Sequence, residues 1–221
     1  DGYPDDSIPG WFDSLEDSRV TYMRNETNLG ANGNYRKCLT FVENPLVQVM
    51  GADDVMLPNY VDWLVRAAER HPDAAIFQPG VFVIDEHGAP SHTLVERVKS
   101  FYMPSRRVPQ VLRGEALAVS ILRGDWLYFP SLAWRAETIL GIGFREGYDV
   151  VQDMALVCDV AMQGSGLLYD PTAAFLYRRH SGSDSSWRAL EGTRFGEERR
   201  FFLQMATEMG RLGWKRAARV A

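Results

Sequence analysis

The sequence has 221 residues, 46% of them hydrophobic, with a formal net charge of -5. One domain with a substantial core is the default at this size, and the acidic balance argues against a general nucleic-acid binder, which needs a basic face. No apolar run of about 18 residues is present to form a membrane span, and no basic segment followed by an apolar one opens the chain as a signal peptide would.

Asp1-Gly-Tyr-Pro-Asp-Asp-Ser7 is turn chemistry. An α/β domain usually begins with a strand, so an N-terminal strand–helix–strand unit is expected to be missing. Val20–Arg24 is a strand candidate. Asn34–Val42 carries Tyr35, Cys38, Leu39 and Val42 at helical spacing. Leu46–Met50 is a short apolar run suited to a buried parallel strand. Asn59 can cap a helix running to about His71, with Val61, Leu64, Val65 and Ala68 as its apolar face. Ala74–Ile84 reads as a strand, followed by a hairpin-type turn at Asp85–Gly88. This alternation of strands and helices predicts an α/β fold with a parallel or mixed sheet.

Pro90–Pro109 is expected to be irregular, with Lys99 and Arg106-Arg107 near Phe101-Tyr102. Glu115–Leu122 reads as a helix. Trp126 and Trp134 lie in an aromatic stretch; such rings serve as core, or stack on the apolar face of a sugar. Val150–Gly164 predicts a helix with a glycine stop signal. Gly166–Tyr169 and Ala173–Tyr177 predict two strands, and the chain is helical again from about Ser186 or Glu191. The two cysteines, Cys38 and Cys158, are too few for a zinc site. Both are expected to be reduced core residues, which suits a cytoplasmic protein.

The candidate chemistry begins at Gly51-Ala-Asp53-Asp54, just past an apolar strand. In open α/β sheets ligands bind beyond the carboxyl ends of strands. Two carboxylates there suit a hard divalent cation that bridges to phosphate, although a turn or a helix cap also uses Asp. Asp153 lies in the first turn of its helix, where the helix dipole alone would favour a carboxylate.

Taken in order, these segments resemble family 2 glycosyltransferases. Asp1-Gly-Tyr-Pro-Asp-Asp-Ser resembles their aspartate-rich turn, and Asn28-Leu-Gly30 followed by Gly33-Asn34 their Asn-x-Gly segment. Gly-Ala-Asp53-Asp54 resembles their metal-binding DXD-type motif, Gln152-Asp153 their Glu-Asp pair, and Tyr177-Arg-Arg-His180 with Ser183 and Ser186 their closing motif. The resemblance implies a GT-A fold, a UDP- or dTDP-sugar donor, Mn²⁺ or Mg²⁺, and inversion at the anomeric carbon. It implies that Asp1 approaches the nucleotide base and that Asn28 belongs to the donor site. Asp53, supported by Asp54 and His180, would hold the metal, and Asp153 would be the general base. Gln152, Trp126 and Trp134 are weaker candidates for acceptor or sugar contacts. Gly51 and Gln152 depart from the usual acidic residues, so a ribose or metal contact is expected to be missing or supplied elsewhere.

The expected organisation is a transferase domain over 1–185 and a helical extension over 186–221 packed on it. The acceptor would be a glycan or a lipid-linked glycan of the cell envelope or surface, and a homodimer is compatible with this plan. In the extension Arg211, Lys215, Arg216 and Arg219 alternate with Leu212, Trp214 and Val220. Such a helix can lie on the inner face of an anionic membrane, or pack against its own domain. Two other classes remain open: a sugar-nucleotide nucleotidyltransferase, and a non-catalytic glycan-binding or scaffold protein.

Overall fold

The computed structural model describes residues 5–91, 93–104, 107–180 and 193–221. Asp1, Ser183 and Ser186 lie outside the described residues. Two helices, α1 (Ser7–Asp13) and α2 (Gly30–Leu39), come first. Then follow β1 (Leu46–Gln48), β2 (Val55–Met56), α3 (Tyr60–Arg70), β3 (Ala74–Ile84), α4 (Leu94–Tyr102), β4 (Gln110–Arg113) and α5 (Gly114–Gly124). A 3₁₀ turn at Phe129–Ser131 leads to β5 (Ala133–Arg135), α6 (Ala136–Ile142), α7 (Gln152–Met162) and β6 (Gly166–Arg178). The chain ends in α8 (Thr193–Arg211) and α9 (Lys215–Val220).

The sheet is mixed, in the order β1-β5-β3-β6-β2, with β4 also pairing β6. Its longest ladder, β3 on β6, is parallel, and the short flanking pairs are antiparallel. Side chains alternate across a strand, so neighbours in sequence serve opposite cores. Ile76, Trp134 and Leu167 face the larger core, which is built with α5, α7, α8 and α9. Phe77, Ala133 and Leu168 face the smaller core under α3. Helices on both faces therefore account for the near-continuous apolar runs of β3 and β6.

Several expectations are corrected. Leu46–Gln48 is half-buried and antiparallel to β5, so it is not a buried parallel strand. Val20–Arg24 forms no strand; Val20 and Met23 are exposed and pair with nothing in the sheet. The buried face of α3 is Tyr60, Trp63 and Ala67; of the expected face Leu64 and Ala68 pack on the smaller core, while Val61 and Val65 point to solvent. The aromatic residues win because each also places its polar tip: Tyr60 donates to the Ser131 carbonyl at 2.9 Å and Trp63 to Asp170 at 3.0 Å. The stretch expected to be irregular contains α4, announced by Thr93 and Glu96, whose carboxylate accepts the Thr93 N–H at 2.9 Å. The two strands after α7 are one, β6. Its irregular turn at 170–172 crowds β3 at Gly80, where a Cβ would strike the Pro171 carbonyl. Cys158 is buried as expected, but Cys38 is on the surface.

The apolar side of α9 is already covered. Ala217 is fully buried, and Trp214, Ala218 and Val220 pack on the larger core, leaving the basic residues outside. Packing on the domain therefore uses the surface that membrane insertion would need. Among the described residues no helix is long and apolar enough to cross a membrane.

Candidate functional site

One end of the site forms where β2 runs antiparallel to the last residues of β6. Val55 pairs with Leu176, which brings Asp53-Asp54 alongside Arg178. The Arg178 N–H donates to Asp54 Oδ1 at 2.8 Å, and its guanidinium Nε donates to the Asp53 carbonyl at 2.8 Å. The same guanidinium reaches the Asp85 carbonyl at 2.9 Å, so one side chain clamps two loops. The Asp53 carboxylate points outward, with Oδ2 3.0 Å from Nε2 of His180. Asp54 turns inward and is buried. Burial pushes its carboxyl up to about 6; the Arg178 N–H opposes the rise and the Asp53 charge adds to it. A Cβ on residue 51 would meet Asp54 Oδ2 at 2.5 Å. Gly51 thus makes the space that lets Asp54 fold inward, which gives this departure from the family pattern a packing reason.

The other end is the start of α7. Asp153 Oδ1 accepts the Met154 N–H at 2.8 Å. The carboxylate is half-buried at the wall of a cavity of about 300 Å³. Lys99, Asp125, Tyr128, Tyr177, Arg179 and Glu198 line the same cavity. Burial first, and the Asp125 charge second, push the Asp153 carboxyl up to about 7, against the pull of the Met154 N–H and Lys99. Lys99 is anchored by the carbonyls of Asp125 at 2.5 Å and Leu127 at 2.6 Å. Its ammonium also lies 3.7 Å from Asp125 Oδ2.

The tail of β6 joins the two ends. Tyr177 and Arg179 line the Asp153 cavity, whereas Arg178 and His180 reach Asp53 and Asp54. This is period-two alternation continued past the end of the strand. The motif Tyr-Arg-Arg-His is therefore a distributor, sending alternate residues to the two sides of the β6 tail.

The other sequence candidates fall as follows. Asn28 Oδ1 accepts the Gly30 N–H at 2.8 Å and starts α2. Gln152 is buried, with Nε2 donating to the Asp149 carbonyl at 3.2 Å. Trp126 and Trp134 have 0% exposure, so neither offers a ring face to a sugar; both are core. Asp1 lies outside the described residues. Sequence reasoning assigned no role to Lys99, Asp125 or Tyr128. The first sits on the helix hidden by the loop expectation, and the other two meet Asp153 only through the tertiary fold. The roles of Arg178 and Arg179 could have been found from the alternation of the motif that contains them.

The donor set at Asp53 fits a divalent cation in a limited way. It offers one outward carboxylate and one imidazole nitrogen 3.0 Å apart, while Asp54 is committed to the Arg178 N–H. Among the described residues no three His, Cys, Asp or Glu converge to hold a metal by themselves. A cation here would need oxygen ligands from a bound diphosphate, as cations held by one or two carboxylates commonly do.

The family model for "Glycosyl transferase family 2" matches residues 1–127. The chain is 27% identical over 73 residues to "Uncharacterized glycosyltransferase MJ1057" of Methanocaldococcus jannaschii, an alignment covering 33% of this chain and 25% of that protein. S. aureus TarS 1–349 in complex with UDP-GlcNAc superimposes with a TM-score of 0.62 at 12% identity, over 84% of this chain and 50% of that one. The complex of the same protein with UDP gives a TM-score of 0.59 at 11% identity, over 82% and 50%. The chain thus spans a quarter of the archaeal relative and half of the TarS chains. At these identities the TarS structures show a shared fold, the mixed α/β GT-A architecture.

Proposed function

Because this chain belongs to glycosyl transferase family 2, we propose that it transfers a sugar from a UDP- or dTDP-linked donor to an acceptor hydroxyl, with inversion. The acceptor would be a glycan or a lipid-linked glycan in cell-envelope or surface polysaccharide synthesis. The observation that carries this reading is the pairing of two unlike carboxylates at the two sides of the β6 tail. Asp53 is outward and beside His180, while Asp153 is half-buried with a raised pKa. TarS, of the same fold, is described with UDP-GlcNAc, which supports a uridine donor.

Each side answers a different need. Departure of a nucleoside diphosphate leaves negative charge, and Asp53 and His180 would hold Mn²⁺ or Mg²⁺ with the phosphates, supplying charge neutralisation there. Asp54 keeps the turn in shape from behind. At the other end an acceptor hydroxyl is a poor nucleophile and must lose its proton during attack. A carboxylate whose pKa lies near the working pH is suited to take it. Attack from the side opposite the leaving group inverts the anomeric centre, which calls for the base and the diphosphate on opposite sides of the sugar.

The test is release of nucleoside diphosphate from a panel of UDP- and dTDP-sugars with Mn²⁺, comparing wild type with Asp153→Asn. Release that depends on Asp153 and increases with an acceptor glycan supports the reading. Pyrophosphate release from a nucleoside triphosphate and a sugar phosphate would point instead to a nucleotidyltransferase. Glycan binding without release from any donor would leave a non-catalytic binding protein.

A further inference from the structure

The backbone just before Asp153 is irregular, and it is held from outside by one face of α8. Glu197, Arg200, Gln204 and Glu208 are spaced three and four residues apart, so they share that face. Glu208 bonds the Arg145 guanidinium at 2.7 Å, and Arg200 donates to the Gly147 carbonyl at 2.5 Å. Gln204 accepts from the Tyr148 hydroxyl at 2.6 Å. Glu197 reaches furthest along the segment. Its Oε1 accepts the N–H groups of Asp149 at 3.0 Å, Val150 at 2.6 Å and Val151 at 2.9 Å. From α2, the Asn32 amide donates to the Tyr148 carbonyl at 2.6 Å. Residues 145–151 are thus gripped nearly residue by residue.

We propose that Glu197 is a positioning residue for the reaction: it fixes the turn at Asp149–Val151 from which α7 starts, and so aims the Asp153 carboxylate into its cavity. This rests on the reading of Asp153 as the base. The N–H groups before and within the first turn of a helix lack intrahelical partners. A carboxylate is their natural partner, because the helix dipole is positive there. Usually a local side chain supplies it. Here Val151 occupies the cap position and makes no side-chain cap bond, so Glu197 supplies the carboxylate from a distant helix. Asp153 itself accepts the next N–H through Oδ1 and lines the cavity. The C-terminal helix therefore does more than cover the core. It carries the part of the base's support that residues 145–151 lack by themselves, and Glu198 beside Glu197 lines the cavity directly.

Geometry of this kind matters for turnover far more than for donor binding, since misplacement by about 1 Å can cost a factor on the order of 10². The experiment compares wild type, Glu197→Ala, Glu197→Gln, Asp153→Asn and the Asp153→Asn/Glu197→Ala double variant. Hydrogen exchange is followed by amide, and turnover of UDP-GlcNAc with Mn²⁺ is measured alongside. Glu197→Ala is expected to speed exchange at 149–156 by about tenfold or more while leaving the β3 amides unchanged. Glu197→Gln, which keeps one accepting oxygen, should fall between. For turnover, kcat is expected to drop by about tenfold or more with the donor KM within about twofold. In the Asp153→Asn background the same substitution should cost less than about twofold, because both act through one carboxylate. Exchange that quickens only at 149–151 and stops short of Gln152 would overturn the proposal. So would a rate loss that multiplies in full with that of Asp153→Asn. Should Asp153→Asn turn over at the wild-type rate, the base assignment itself fails, a result distinct from any change in exchange. Melting curves of Glu197→Gln guard against a variant that simply unfolds.

Discussion

The two sides of the β6 tail, at Asp53 and at Asp153, are built in opposite ways. The Asp53 end is made by sequence neighbours and the tail of one strand, and the Asp53 carboxylate is 44% exposed. Its support is one residue: the Arg178 N–H and guanidinium hold the turn, and Gly51 leaves room for Asp54. The Asp153 end gathers Lys99 from α4, Asp125 from the end of α5, Tyr177 from β6, Arg179 just past it, and Glu197 and Glu198 from α8. Its carboxyl is sheltered and shifted. An outward carboxylate is open to a cation, whereas a base needs a pKa close to the working pH. The difference in construction matches the difference in duty proposed for the two carboxylates.

The largest effect should come from the sheltered end. Asp153→Asn is expected to lower turnover by a factor on the order of 10² or more while leaving donor affinity nearly unchanged. Stability should move the other way. A carboxyl raised to about 7 in the fold, against about 3.9 when unfolded, keeps its proton in the native state over that window. The unfolded state then binds fewer protons, so stability falls as pH rises from about 4 to about 7. Removing the charge should raise the melting temperature at pH 8, by roughly 2–4 °C per kcal/mol relieved. A variant that loses both activity and stability at pH 8 would break the comparison.

At the exposed end, if Asp53 holds the cation as proposed, Asp53→Ala should abolish any Mn²⁺-dependent rise in melting temperature caused by a UDP- or dTDP-sugar donor. At a ligand concentration of 100 times Kd that rise corresponds to about 2.7 kcal/mol in the wild type. Melting without ligand should hardly change, because Asp53 is exposed and its backbone carbonyl, which Arg178 uses, is kept. An equal thermal shift with and without metal, in wild type and variant alike, would remove the cation from the Asp53 end.

How much of each end could be read from the sequence follows the same division. Asp53, Asp54 and His180 stand in local motifs, and the structure brings Asp53 and His180 within 3.0 Å. The inward turn of Asp54 was not legible, because it depends on the Arg178 N–H across the sheet. At the other end Asp153 could be named from its motif, but its neighbours could not. Asp125, Lys99 and Glu197 come from the ends or faces of three separate helices, and the irregular composition of 90–109 hides one of these, α4, despite the Thr93-x-x-Glu96 signature. Burial misled where aromatic residues were concerned. Trp126 and Trp134 read equally well as core or as sugar platforms, and only packing between β5, α5 and the helices behind them decides for core. On α3 the apolar count favoured Val61 and Val65, while Tyr60 and Trp63 won by combining a large ring with a satisfied polar tip.

A smaller effect separates the two causes of the Asp153 shift. Burial is the greater and the Asp125 charge comes second. Asp125→Asn keeps the size of the side chain and removes the charge. The acid limb of the turnover profile, which lies near 7 when Asp153 must be deprotonated, should move to lower pH by up to about one unit, or 1.36 kcal/mol. Lys99→Met should move it upward, since the Lys99 charge favours the ionised form. Limbs that shift in the same direction in both variants would show that each acts by loosening the α4 contact and not by charge.

The smallest effect concerns what the C-terminal helices are for. Glu115, in the first turn of α5, accepts the N–H groups of Arg216 at 2.7 Å and Ala217 at 3.3 Å, capping α9 from across the interface. Loss of such a cap costs typically about 1 kcal/mol. Glu115→Ala should therefore lower stability by about that amount, measured by urea unfolding with an unchanged m-value. The apolar side of α9 stays on the core through Ala217 and Trp214. Its exposed Arg and Lys residues could meet an anionic membrane only by charge, at about 1 kcal/mol each. If α8 and α9 serve the Asp153 end alone, Glu115→Ala should leave donor binding at wild-type strength. A parallel loss of donor binding would mean that the two ends are coupled through the core, and the contrast between them would then be one of appearance only.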